Sequence, residues 1–141
     1  MTGWAQPARD HCWQHRHRTS RPTAGTLREG VVASATEAEL GNAIVALAVL
    51  WGWRVYHPLP ARTNRGWRTA TQGHTGWPDL LMARQQDGQT RLLIWELKGA
   101  SGRITPEQRE WLRVLSSFPG IECREVRPVD WVSGRVKEWL R

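Results

Sequence analysis

At 141 residues the chain can build one domain with a genuine hydrophobic core, but not two, because smaller units bury too little of their surface. Twenty Lys and Arg against 13 Asp and Glu give a formal charge of +7, more than acidic small molecules alone call for, so the expected partner is a polyanion. No run approaches the roughly 18 apolar residues of a membrane span, the N-terminus lacks the pattern of a secretion signal, and Cys12 and Cys123 lie in contexts too different for a disulfide framework. The expected setting is a reducing cytoplasm.

Residues 1–35 hold His, Arg, Thr, Pro and Gly with few aliphatics before Val31 and Val32, which predicts a flexible basic tail ahead of one folded domain over 36–141. Cys12, His15 and His17 in that tail have no second cluster to complete a tetrahedral zinc site.

From Thr36, the residues Leu40, Ile44, Leu47, Ala48 and Trp51 recur at the spacing of an amphipathic helix ending at Gly52. Thr36 suits the N-cap, and Glu37 and Glu39 fall in the first turn, where the helix dipole favours acids. Trp53 to Leu59 reads as a strand broken by Pro58. A polar stretch then carries Arg62, Arg65, Arg68 and Trp67 with no acid, and is predicted to be a basic loop.

Strands at 79–84 and 91–98 follow, joined through Asp87-Gly88, a hairpin turn signal that makes them antiparallel neighbours. After 99–103 comes a helix with Trp111, Leu112, Leu115 and Phe118 on its apolar side, then a strand at 121–127 and a short helix from about Trp131. The order α-β-β-β-α-β-α predicts an α/β fold, a mixed central sheet flanked by helices.

The strand RLLIWELK places Leu92, Ile94, Glu96 and Lys98 on one face and Leu93, Trp95 and Leu97 on the other. Both faces are apolar, so the strand is expected to be central, and burying a carboxylate beside an ammonium costs several kcal/mol per ion unless they pair or bind a cation. Lys98 stands out because 18 of the 20 cations are Arg, and only Lys98 and Lys137 are the compact amine that suits a water nucleophile. Asp79, directly after Pro78, opens the preceding strand and in the hairpin can meet Glu96 at one end of the sheet. Two carboxylates there repel unless a hard cation such as Mg²⁺ sits between them, which makes a site able to polarise a phosphate.

Gly76-Trp77-Pro78-Asp79 followed by Glu96-Leu97-Lys98 resembles the signature of the PD-(D/E)XK nucleases. More narrowly, the chain resembles the virus-type replication-repair nuclease (VRR-NUC) family over roughly residues 36–131. The further matching residues are Glu39, Gly52-Trp53, Tyr56-His57, Gly102-Arg103, Thr105-Pro106-Glu107-Gln108, Trp111, Arg127-Pro128 and Asp130-Trp131.

The resemblance implies a restriction-endonuclease-like core and phosphodiester hydrolysis with Mg²⁺ or Mn²⁺. Asp79 and Glu96 would hold the metal, Lys98 would orient the attacking water and stabilise developing charge, and Glu39, with Glu37 as its rival, would add a carboxylate through the metal's water shell. Gln108 matches a family glutamine, but Thr105-x-x-Gln108 is equally a capping box. The candidate DNA contacts are Arg62, Arg65, Arg68 and Arg103, with Trp67 stacking on unpaired bases. Similar stand-alone proteins imply a viral or prophage homodimer acting on branched DNA such as Holliday junctions. A flap nuclease or nickase, a DNA-binding module without turnover, and an RNA-directed enzyme are the rival readings.

Overall fold

The computed structural model describes residues 35–64, 66–68 and 72–141, with the backbone alone at Thr63, Trp67 and Arg68. What the sequence predicts for residues 1–34 and for Arg65 lies outside the described residues.

Helix α1 spans Glu37–Leu50 and starts in a full capping box: the Thr36 hydroxyl accepts from the Glu39 amide at 3.2 Å, and the Glu39 carboxylate accepts from the Thr36 amide at 2.9 Å. It ends where the Trp53 amide reaches back to the Ala48 carbonyl at 3.0 Å. Its buried residues, Leu40, Gly41, Ile44 and Ala48, follow the helical period and face the sheet.

The chain then forms β1 (Arg54–Tyr56), β2 (Ala61–Thr63), β3 (Gly66–Arg68), β4 (Leu80–Gln86), β5 (Gln89–Leu97), α2 (Pro106–Leu115), β6 (Ile121–Val126), α3 (Pro128–Val132) and α4 (Arg135–Leu140). The main sheet has the order β1-β4-β5-β6, antiparallel except for the β5–β6 pair, which makes it a mixed sheet flanked by helices. β5 is interior, as its two apolar faces predict. The β4–β5 turn has positive φ at both Asp87 and Gly88 (52° and 77°), matching the twist of the strands it joins.

Two elements differ from the sequence reading. The stretch predicted to be a basic loop contains a two-stranded antiparallel ribbon, β2–β3, in which Arg62 pairs with Trp67. Its arginines hide the strand signal, because so polar a stretch shows no apolar alternation. The predicted last helix is two, α3 and α4, separated at Gly134, whose φ of 84° lies outside helical geometry.

The core lies on the Leu93–Trp95–Leu97 face of β5, packed with Leu40, Ile44 and Ala48 of α1, Leu80 and Met82 of β4, Val126, Trp53, and Val136 and Leu140 of α4. No helix among the described residues is long and apolar enough to cross a membrane.

Candidate active site

The β4–β5 register pairs Leu80 with Trp95, so the next step along each strand brings Asp79 beside Glu96. Asp79 Oδ2 accepts a 2.8 Å hydrogen bond from the Leu97 amide, which holds its carboxylate at the end of the sheet. Glu96 is fully buried, although it shares a face with Ile94 rather than lying in the main core. One of its oxygens, Oε1, accepts from Lys98 Nζ at 2.6 Å and from Gln108 Nε2 at 2.5 Å. The other, Oε2, is buried and meets no hydrogen-bond donor among the described residues.

A buried carboxylate oxygen without a donor is costly. Burial pushes the Glu96 carboxyl up to about 7; the Lys98 hydrogen bond opposes the rise, and the neighbouring Asp79 charge adds to it. Burial by itself would lower the Lys98 ammonium, but its hydrogen bond to Glu96 and the charges of Glu96, Glu37 and Asp79 outweigh it and raise its pKa. The cluster therefore carries an excess of negative charge around a single buried ammonium.

Glu39 is not part of this cluster. Its exposed carboxylate turns back onto the Thr36 amide and hydroxyl, both at 2.9 Å, and these hydrogen bonds hold its pKa below the ordinary value. Glu37 is the acid that reaches the site, with Oε1 3.6 Å from Lys98 Nζ and 3.4 Å from the Gly99 amide. The reason is helical geometry. Glu37 stands three, four, seven and eleven residues before Leu40, Gly41, Ile44 and Ala48, on the same stripe, whereas Glu39 at the third helical position caps its own helix. That stripe was the signal in the sequence.

Gln108 makes both contacts between which its motif leaves a choice. Its Oε1 accepts from the Thr105 amide at 3.0 Å to cap α2, and its Nε2 donates to Glu96. The segment before Asp79 fastens α2 in this position: Trp77 and Trp111 meet edge to face at 4.9 Å, and Trp111 Nε1 donates to the Thr75 carbonyl at 3.0 Å. Gly76, at φ 85°, passes so close that a Cβ would lie 2.7 Å from Glu107 Cβ and 2.9 Å from the Gln108 amide nitrogen.

Among the expected DNA contacts, Arg62 and Arg103 are exposed. Arg65 and the side chains of Trp67 and Arg68 lie outside the described residues. Of the two histidines flanking the ribbon, His74 is exposed, and His57 packs against Gly41. Among the described residues, no group of three or more His, Cys, Asp or Glu is arranged to hold a metal ion.

A mixed four-stranded sheet flanked by helices, with Asp79, Glu96 and Lys98 at one end of its central hairpin, has the architecture of a nuclease of the PD-(D/E)XK type. The family model of the VRR-NUC domain matches residues 8–128, and the chain belongs to that family. No curated protein and no solved structure matches it.

Proposed function

We propose that the protein is a metal-dependent DNA endonuclease whose site consists of Asp79, Glu96, Lys98, Gln108 and Glu37. The observation that carries this reading is the buried Oε2 of Glu96, which meets no hydrogen-bond donor among the described residues, beside the Asp79 carboxylate. Two carboxylates with an orphaned oxygen suit a hard divalent cation such as Mg²⁺ or Mn²⁺, which typically takes one or two protein carboxylates and completes its shell with water and phosphate. When bound, such an ion supplies Lewis acidity to a phosphodiester oxygen.

The chain's own residues do the rest. Lys98, held by Glu96, presents a fixed positive charge to the attacking water and to the charge that develops on the phosphate. Gln108 keeps the Glu96 carboxylate in one orientation by binding Oε1 and leaving Oε2 free. Glu37 takes the outer carboxylate role for which the sequence favours Glu39. Glu37→Gln therefore lowers turnover about tenfold or more, whereas Glu39→Gln keeps the capping box and loses only a first-turn charge, about 0.5 kcal/mol of stability; equal losses of turnover would reject the exchange.

The preferred substrate in this reading is branched DNA such as a four-way junction, gripped by Arg62, Arg65, Arg68 and Arg103 with Trp67 against unpaired bases, and cut by a homodimer that presents two sites to two strands. The test is cleavage of labelled four-way junction, flap, single-stranded and linear duplex DNA, and matched RNA, in Mg²⁺, Mn²⁺ or EDTA. Wild type is expected to cut the junction only with metal, and Asp79→Asn and Lys98→Ala to bind it without cutting. Preference for the flap, or one nick per junction by a monomer, would move the assignment to a flap nuclease or nickase. Binding without cutting in any metal would leave a DNA-binding module.

A further inference from the structure

Downstream of Lys98, the turn Gly99–Gly102 carries two of the contacts that shape the site. The Gly99 amide approaches Glu37 Oε1 at 3.4 Å, and a Cβ on Gly102 would lie 3.2 Å from that oxygen and 3.4 Å from Lys98 Cδ. The turn has one internal hydrogen bond, from the Gly102 amide to the Gly99 carbonyl at 3.1 Å, and Ala100 and Ser101 are exposed. So short a glycine-rich turn has little to hold it in place by itself.

Arg127 supplies the missing restraint. Its Nη1 donates to the Gly99 carbonyl at 2.9 Å and the Ala100 carbonyl at 3.4 Å, and its Nη2 donates to the Gly102 carbonyl at 2.9 Å. Nε donates to Glu125 Oε1 at 2.7 Å, and Nη2 pairs with the same carboxylate. Four hydrogen bonds and an ion pair thereby engage all three nitrogens of the guanidinium. The head of Arg127 is placed by the sheet: Leu97 pairs with Val126, and the Lys98 amide donates to the Val126 carbonyl at 3.0 Å. Its backbone is fixed in turn, the Arg127 amide donating to the buried Asp130 at 2.9 Å.

A cation on a basic, DNA-directed protein is ordinarily read as a phosphate contact. Here every nitrogen of the guanidinium is engaged and its charge is matched by Glu125, so the geometry points to a different role. We propose that Arg127 is a positioning residue: by clamping the three carbonyls of the Gly99–Gly102 turn it holds Lys98 and Glu37 in register with Glu96. The proposal rests on the nuclease reading for its effect on turnover, but not for its effect on Lys98.

The fork is what the role requires. Lysine offers a point charge that can hold only part of a three-carbonyl turn, so Arg127→Lys is not a conservative change at this position. Misplacing a catalytic group by about 1 Å costs on the order of 100-fold in rate.

The chain's two lysines make a direct measurement possible, because protein labelled with ¹³Cε and ¹⁵Nζ lysine gives two side-chain signals, Lys98 and the exposed Lys137. In Arg127→Gln the Lys98 signal is expected to move while Lys137 stays. In the same variant kcat on the preferred DNA is expected to fall about 10- to 100-fold with Kd and its salt dependence unchanged, and Arg127→Lys is expected to fall in between. If Arg127→Gln does not fold, Arg127→Met, which keeps the apolar stem and adds no lysine, is read by the same two measurements.

An unmoved Lys98 signal in a folded variant would overturn the proposal, and so would weaker, less salt-sensitive DNA binding at unchanged kcat, the mark of a phosphate contact. If the wild-type protein cuts no DNA in any metal, the nuclease reading fails, and the lysine spectrum alone decides the role of Arg127.

Discussion

The β4–β5 hairpin carries charge at both of its ends, half-buried at the turn end and buried at the other, and treats the two in opposite ways. At the turn end, Arg84 and Arg91 face each other across the register and stack on Trp53 at 4.5 and 5.3 Å. Their donors are answered: Arg84 by the Trp51 and Arg141 carbonyls, Arg91 by Glu122 and the Trp139 carbonyl. Trp53 Nε1 takes the Leu140 carbonyl at 2.9 Å, so three side chains cap the end of α4. At the open end, Asp79, Glu96 and Glu37 crowd around one ammonium, and Glu96 Oε2 meets no donor among the described residues. One end closes its polar groups for stability; the other leaves one oxygen without a donor among the described residues, the feature on which the proposed metal site rests.

The comparison is broken most severely at the open end. Asp79→Asn and Lys98→Ala are expected to lower kcat by about 100-fold or more while the fold survives, and Asp79→Asn, which relieves like-charge crowding, to melt no earlier than wild type in EDTA. An Asp79→Asn protein that unfolds early would make that carboxylate a structural group like those at the turn end. Gly76→Ala is next, because it meets both a positive φ and the Glu107–Gln108 backbone. A loss of about 2–3 kcal/mol in urea unfolding, with a fall in kcat as α2 and Gln108 shift, is expected.

At the turn end, Arg91→Ala should cost about 1–2 kcal/mol of stability, measured by chemical denaturation, and leave kcat within about twofold of wild type. A larger effect on turnover than on stability would erase the division of labour between the ends. The smallest effect is a slope. Because folding raises the Glu96 pKa from 4.5 to about 7, it favours the protonated form, so this stabilising contribution is present below pH 4.5 and is lost as pH rises through 7. Thermal melts in EDTA between pH 4.5 and 8 should show that decline in wild type and a flatter profile in Glu96→Gln; parallel profiles would remove Glu96 as its source.

How far the sequence could be read varies with the strength of local pattern. α1, β4, β5, α2 and β6 were legible from apolar period and turn residues, and Asp79, Glu96 and Lys98 from their order along a central hairpin. The β2–β3 ribbon was not, since so polar a stretch offers no apolar alternation to read. Glu37 was half legible: the stripe through Leu40, Gly41, Ile44 and Ala48 includes it, but a first-turn acid is also what any helix dipole favours.

By itself, the sequence determined the strand order of the hairpin and the residue types of the site, because side-chain alternation and turn chemistry act over a few neighbouring residues. Only the tertiary structure decided which of two helix acids meets Lys98, that Gln108 both caps α2 and binds Glu96, and that three donors of Arg127 are directed at a turn 25 to 28 residues away in the chain. Those contacts join elements distant in sequence, and their geometry depends on how sheet and helices pack, which no local pattern encodes.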